Sequence, residues 1–147
     1  MELRPNCPRR CSAAAHVHMK IAILESDLKA LDCALETLSS AGHICFGVVS
    51  DKALRELLGE VSIDLVMLDW AAPDFARYDT LCYLSRHRSE TPVILCVTPL
   101  TSEKAILSGM ERGAKICLEK PVNTDQSLVH IHALECHGHS YPAFATS

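Results

Sequence analysis

Short apolar runs alternate with amphipathic stretches along most of the chain. The runs are short and continuously apolar, as buried strands are, and they predict five strands, over residues 20–24, 44–49, 65–68, 93–97 and 116–118. After each run, leucine and alanine recur at helical spacing, which predicts a helix after every strand. The fourth helix is predicted over about residues 102–112 and the fifth over about 125–134. Ser26 and Ser50 are the predicted N-caps of the first two helices.

Five strand–helix units in succession indicate an α/β fold. Strands that are apolar throughout, rather than at alternate positions, are covered on both faces. Alternation of strand and helix implies a parallel sheet with right-handed crossover connections. The sequence therefore predicts a doubly wound, five-stranded parallel sheet in a single domain.

Composition and charge narrow the class of protein. The chain has 147 residues, of which 48% are hydrophobic and 22% charged, values typical of a folded globular domain. No apolar run approaches the roughly 18–20 residues of a membrane span, so no membrane association is expected. The net charge is −4; residues 1–18 contribute +2, which leaves −6 on the remainder. An acidic body argues against direct nucleic-acid binding.

The ends of the chain differ in composition from its middle. We expect residues 1–18 to form a disordered N-terminal extension, residues 19–134 the folded domain and residues 135–147 a polar C-terminal tail. The extension lacks the apolar core of a signal peptide, so a cytoplasmic, reducing location is expected. Five cysteines lie in apolar segments and are predicted to fill the core, since a free cysteine packs as a small hydrophobe: Cys33, Cys45, Cys82, Cys96 and Cys117.

Polar residues follow four of the predicted strands. Glu25, Ser26 and Asp27 follow the first strand. The third, fourth and fifth strands end at Asp69, Thr98 and Lys120, respectively. Because ligands of open α/β sheets bind beyond the carboxyl ends of the strands, these side chains are expected to converge. Carboxylates together with one lysine suit a hard cation such as Mg²⁺ and a phosphoryl group, and a carboxylate can itself accept the phosphoryl group.

Four segments carrying these residues resemble the receiver domain of two-component response regulators. They read IAILESD, IDLVMLDWAAPD, TPVILCVT and GAKICLEKPV, and the resemblance covers about residues 19–134. It is greatest to the receivers that precede winged-helix DNA-binding domains. The resemblance implies the (βα)5 flavodoxin-like fold and a signalling role in a phosphorelay, with a histidine kinase or phosphotransfer protein as partner. Accepting the phosphoryl group and hydrolysing it again would be its only chemistry.

The resemblance also implies a role for each site residue. Asp69 matches the phosphoacceptor, Thr98 the hydroxyl that turns toward the phosphoryl group, and Lys120 the lysine that pairs with its oxygens. Pro121 follows this lysine, where the family commonly has a cis peptide bond. Glu25 and Asp69 match metal ligands.

Ala71 matches the position whose backbone carbonyl binds Mg²⁺. Ser26 stands where the family usually has a second acidic ligand, so it is a weak substitute and Mg²⁺ affinity should fall. Pro99 replaces a small residue whose N–H helps to bind the phosphoryl group, and proline has no N–H. Cys117 replaces a switch aromatic.

Two departures lie outside the site itself. Arg77 stands where the family usually has glycine, and we expect residues 73–78 to form a loop with a path different from that of the family. Lys115 and Ile116 replace an acidic pair on the face of the fourth and fifth helices. The resemblance implies a homodimer through that face, whereas these two replacements argue against it, and the sequence does not decide between the two.

Three other functions compete with a phosphorylated receiver. A degenerate receiver, acting as an interaction module without phosphorylation, would explain why Ser26, Pro99 and Cys117 depart together. A phosphatase of the haloacid-dehalogenase type also uses aspartate, threonine, lysine and Mg²⁺. It needs its nucleophile on the first strand, however, where this chain has Glu25. A flavodoxin-like electron carrier shares the fold but needs a phosphate-binding loop after the first strand.

Overall fold

A five-stranded parallel sheet forms the centre of the molecule. In the computed structural model, which describes residues 18–123 and 125–140, the strands are β1 (Lys20–Leu24), β2 (Ile44–Val48), β3 (Leu65–Asp69), β4 (Val93–Val97) and β5 (Ile116–Glu119). The strand order is β2-β1-β3-β4-β5, and all four pairings are parallel. The predicted fold class is confirmed.

One helix follows each strand. The helices are α1 (Leu28–Ser40), α2 (Asp51–Glu60), α3 (Phe75–His87), α4 (Glu103–Glu111) and α5 (Asp125–Ser140). None of the helices in this described part of the chain is long and apolar enough to cross a membrane. Ser50 and Ser102 cap α2 and α4 by accepting a hydrogen bond from the N–H three residues later, at 3.1 Å and 3.0 Å.

Two apolar layers cover the sheet, one on each face. Ile21, Ile23 and Met67 point into one layer, and Ala22, Leu24 and Leu68 point into the other. This alternation follows from the two-residue period of a strand, and it explains why nearly all positions of the central strands β1, β3 and β4 are apolar. Cys96 is buried, whereas Cys33, Cys45, Cys82 and Cys117 are only half-buried. Cys45 and Cys117 still pack against the two apolar layers, so the prediction that all five cysteines fill the core was too strong only for Cys33 and Cys82.

Three predicted local features differ in the structure. Asp27, not Ser26, caps α1: its carboxylate accepts from Ala30 N at 3.0 Å, while Ser26 is exposed. Residues 75–78, predicted to be loop, form the first turn of α3, because Asp74 accepts from Arg77 N at 2.9 Å and caps the helix. Helix α5 continues to Ser140, past the predicted end near residue 134, so the predicted tail is helical at its start. Residues 1–17 and 141–147 of the predicted extension and tail lie outside the described residues.

Candidate functional site

Three charged side chains meet at the carboxyl edge of the sheet. Glu25 follows β1, Asp69 ends β3, and Lys120 follows β5. The Nζ of Lys120 lies 2.7 Å from Oε1 of Glu25 and 2.8 Å from Oδ1 of Asp69. The exposed fractions of the Glu25, Asp69 and Lys120 side chains are 8%, 15% and 17%. One ammonium group thus bridges two largely buried carboxylates.

Backbone N–H groups orient both carboxylates. Ala71 N donates to Oδ1 of Asp69 at 3.1 Å, so Asp69 holds the turn that follows it. Asp27 N donates to Oε2 of Glu25 at 3.1 Å. The two acids are therefore fixed by their own loops as well as by Lys120. The Lys120–Pro121 peptide bond is cis, as the resemblance implies.

The pKa values follow from this pairing. Burial by itself would raise the pKa of Asp69, but hydrogen bonds from Lys120 and Ala71 and the charge of Lys120 outweigh burial and hold the pKa below its ordinary value. Burial would lower the pKa of Lys120, but hydrogen bonds to Asp69 and Glu25 raise it above its ordinary value. Asp69 is thus ionised and Lys120 charged near neutral pH.

Thr98 lies at the end of β4, but its hydroxyl bonds within its own loop. Leu100 N donates to Oγ1 of Thr98 at 3.1 Å, and Thr98 N donates to Oγ1 of Thr101 at 2.9 Å. The two threonine hydroxyls lie 3.4 Å apart. Turning the Thr98 hydroxyl toward a phosphoryl group would break the bond from Leu100. Thr101, which is buried, was not singled out from the sequence.

The predicted Mg²⁺ ligands are brought together only in part. Glu25 and Asp69 share Lys120, and Ala71 is joined to Asp69 through its N–H. Ser26 is adjacent to Glu25 but exposed, and Asp27 is committed to the cap of α1.

Within the described residues, no three histidine, cysteine or acidic side chains are grouped to hold a metal. Two carboxylates and a backbone carbonyl nevertheless fit Mg²⁺, which keeps several waters and takes only one or two carboxylates from a protein.

A small cavity of about 40 Å³ adjoins the three charged groups. Its walls are mostly apolar and include Met67 and Cys96. This volume holds one or two water molecules rather than an organic cofactor. Burial raises the pKa of Cys96 to about 12, against the opposing charge of Lys120 and with the charges of Glu25 and Asp69, so a neutral thiol lies beside the carboxylates.

An arginine network behind Asp69 was not predicted. The Nη1 of Arg77 donates to the backbone carbonyl of Asp69 at 2.6 Å, and its Nε donates to Oδ2 of Asp51 at 3.1 Å. Thr80 Oγ1 donates to the same oxygen of Asp51 at 2.5 Å. No local pattern could have indicated this network, because its members come from β3, α2 and α3.

Comparison with known proteins identifies the family. The model of the response regulator receiver domain matches residues 21–132. The chain belongs to the response regulator receiver family. The receiver is 26% identical over 133 residues to the transcriptional regulatory protein TcrA of Mycobacterium tuberculosis, covering 88% of this chain and 50% of TcrA. It is 32% identical over 115 residues to the transcriptional regulatory protein CpxR of Escherichia coli, covering 78% and 48%.

Solved receiver structures have the same fold. The receiver domain of the TMAO respiratory system response regulator TorR superposes with a TM-score of 0.71 at 25% identity, over 80% of this chain and 97% of that chain. A two-component response regulator from Clostridium difficile superposes with a TM-score of 0.75, over 84% of this chain and all of that chain, although only 17% of residues are identical. The receiver spans about half the length of the curated relatives it matches. Family membership favours a receiver over the phosphatase and the electron carrier.

Proposed function

We propose that this receiver accepts a phosphoryl group on Asp69 from a phosphohistidine of a histidine kinase or phosphotransfer protein, and that it acts as a cytoplasmic signalling switch. The observation that carries the proposal is the Asp69 carboxylate, ionised at the end of β3 and held by Lys120 Nζ and Ala71 N. A positioned carboxylate of this kind is a suitable nucleophile for phosphoryl transfer.

The chemistry is a single displacement at phosphorus. A carboxylate oxygen of Asp69 bonds to phosphorus as the phosphorus–nitrogen bond of the phosphohistidine breaks, and the released nitrogen takes up a proton from water. Lys120, at 2.8 Å from Asp69, balances the charge on the transferred oxygens. Glu25, Asp69 and the carbonyl of Ala71 would hold Mg²⁺, which would neutralise charge on the phosphoryl group when bound. Hydrolysis of the acyl phosphate returns the receiver to its starting state.

The test is phosphorylation by a small donor. We would incubate the protein with acetyl phosphate, with Mg²⁺ or with excess EDTA, and measure the intact mass. The expected result is one added phosphoryl group that requires Mg²⁺ and is absent from Asp69→Asn. Asp32→Asn is the matched control, because Asp32 is exposed on α1, and it should still be labelled. An adduct that persists in Asp69→Asn would refute Asp69 as the acceptor.

A degenerate receiver is the second candidate, and specific observations favour it. Ser26 removes one acidic ligand, Pro99 removes one N–H, and the Thr98 hydroxyl is bonded within its loop. Ser26→Asp separates the two functions. A phosphorylatable receiver gains Mg²⁺ affinity and is labelled with or without the substitution. A degenerate receiver is labelled only after the acid is restored, or not at all. Trp70, the only tryptophan, follows Asp69 in the chain, and its indole N–H donates to the Ala105 carbonyl at 2.8 Å. We expect its fluorescence to change when Mg²⁺ binds beside Asp69.

A homodimer through the α4 and α5 face is part of the proposal. Each helix exposes a large apolar side chain, Leu107 on α4 and Val129 on α5, with exposed fractions of 58% and 63%. Sedimentation of the protein before and after phosphorylation tests this assembly, and a monomer in both states would refute it. We also propose that residues 19–134 form the receiver domain. We further propose that this chain does not bind nucleic acid directly.

A further inference from the structure

Arg77 makes four hydrogen bonds, two from its backbone N–H and two from its guanidinium group. Its backbone N–H donates to the Asp74 carboxylate at 2.9 Å in the first turn of α3. Its N–H also donates to the Asp74 carbonyl, at 3.0 Å. Its Nε pairs with Asp51 at the start of α2, and its Nη1 reaches the Asp69 carbonyl at the end of β3. The guanidinium therefore ties the end of β3 to the start of α2.

Burial makes this contact persistent. The Arg77 side chain is 12% exposed and that of Asp51 23%. Thr80, which is buried, donates to the same oxygen of Asp51 that pairs with Arg77. A planar guanidinium that bonds two acceptors in a protected site has few alternative orientations. Its Nη1–O distance of 2.6 Å to Asp69 is short, as expected for a charge-assisted hydrogen bond.

The bonded carbonyl belongs to the peptide group that joins Asp69 to Trp70. The N–H of the same peptide group donates to the Cys96 carbonyl at 2.8 Å. Because a peptide group is planar, these two bonds fix its plane from both sides. The next N–H, that of Ala71, donates to the Asp69 carboxylate. The direction of the Asp69 side chain and the course of the backbone through Ala71 thus depend on where Arg77 holds the carbonyl.

We propose that Arg77 is a positioning residue of the Asp69 site, which orients the turn through Ala71 for metal binding and phosphoryl acceptance. This inference rests on the proposed function. Arg77 stands where the family usually has glycine, so the device belongs to this chain rather than to the family pattern.

Four variants test the proposal. Arg77→Ala removes the contact, and Arg77→Lys keeps the charge with a single donor group. Arg55→Ala is the matched control, because Arg55 also joins α2 to α3, through Asp79 at 3.0 Å, without reaching Asp69. Leu38→Val shrinks a fully buried side chain of α1 that takes no part in this network, and it serves as the control for lost stability. Each variant is measured for Mg²⁺ Kd by Trp70 fluorescence, for the rate of labelling by acetyl phosphate, for hydrogen exchange of the Ala71 amide by NMR, and for the urea midpoint.

Arg77→Ala is expected to weaken Mg²⁺ binding by about 10-fold or more, the usual effect of losing a group that orients a metal ligand, and to slow labelling. Arg77→Lys should recover part of both losses. The Ala71 amide should exchange faster in Arg77→Ala than in either control. A wild-type Kd and wild-type Ala71 exchange in Arg77→Ala would overturn the proposal, and so would an equal loss in Leu38→Val or Arg55→Ala. A wild-type protein that is never labelled would refute the proposed function, and Ala71 exchange in the apo protein would still decide the role of Arg77.

Discussion

Lys120→Met removes the one positive charge between two buried carboxylates. Glu25 Oε1 and Asp69 Oδ1 lie 2.7 Å and 2.8 Å from Nζ, so they are no farther apart than the sum of these distances, 5.5 Å. At an effective dielectric constant of about 20, two unit charges at that separation repel by about 3 kcal/mol. We therefore expect the variant to lose about 3 kcal/mol of unfolding free energy near pH 7, within the range for breaking a buried ion pair.

The loss should depend on pH in a defined direction. Repulsion raises the pKa of one carboxylate in the folded variant above its unfolded value, so that carboxylate binds a proton more readily in the folded state. The penalty is then full above the raised pKa and shrinks as the pH falls through it. Urea unfolding of wild type and variant, near pH 7 and near pH 5, measures both quantities.

Lys104→Met is the control for removing a lysine, because Lys104 is exposed on α4. Its unfolding free energy should stay within about 0.5 kcal/mol of wild type at both pH values. A loss below about 1 kcal/mol in Lys120→Met at neutral pH, or a loss that does not shrink in acid, would refute two ionised carboxylates held together by Lys120.

Three further predictions follow from the packing and the pKa shifts. The stabilisation from Asp69 should be full above the ordinary pKa of 3.8 and lost as the pH falls through the lower pKa of the folded state. The stabilisation from Lys120 should be full below the ordinary pKa of 10.5 and lost as the pH rises through the higher pKa of the folded state. The urea midpoint should therefore fall at both extremes of pH. In α4, Gly109→Ala would place Cβ 2.5 Å from Leu95 Cδ1 and 3.0 Å from the Trp70 ring, and should destabilise the protein by about 1 kcal/mol. In α2, Gly59→Ala meets no neighbour and should stabilise the protein by up to about 1 kcal/mol. The denaturant midpoints of the two variants should therefore shift in opposite directions from that of the wild type. Because the pKa of Cys96 is about 12, iodoacetamide near pH 8 should leave Cys96 unmodified in the folded protein while it alkylates the half-buried Cys82. Peptide mapping measures the labelling of each cysteine, and equal labelling of both would contradict the burial argument.

The strands and the charged core of the site could be predicted because their signals are local. Each strand is a continuous apolar run, and Glu25, Asp69 and Lys120 lie at or just beyond strand ends. The sheet itself then brings them together, since parallel strands end at one edge. The convergence of the three charged groups needed only this topology, whereas the bridging of both acids by Lys120 was not predicted.

Other features depended on contacts that the sequence does not display. Ser26 and Asp27 are both good caps, and the start of α1 at Leu28 selects Asp27. Arg77 lies in the segment predicted to be loop, and its partners are Asp69 and Asp51, 8 and 26 residues away. The bonds of the Thr98 hydroxyl depend on how the loop folds back, a choice that residue types alone leave open.

The loss of an acid at Ser26 has a consequence for how a phosphoryl donor approaches. Glu25, Asp69 and Lys120 together carry one net negative charge, which repels a phosphoryl group that is close to dianionic near neutral pH. A bound divalent cation would leave the same site with one net positive charge, whereas with a second aspartate in place of Ser26 it would only reach neutrality. The net charge of the site, and with it the electrostatic potential at the approaching phosphoryl donor, would therefore change from negative to positive when the metal binds. In this receiver, the metal would act on the encounter itself, so the rate of Mg²⁺-dependent labelling should fall with rising ionic strength in the wild type and change little in Ser26→Asp.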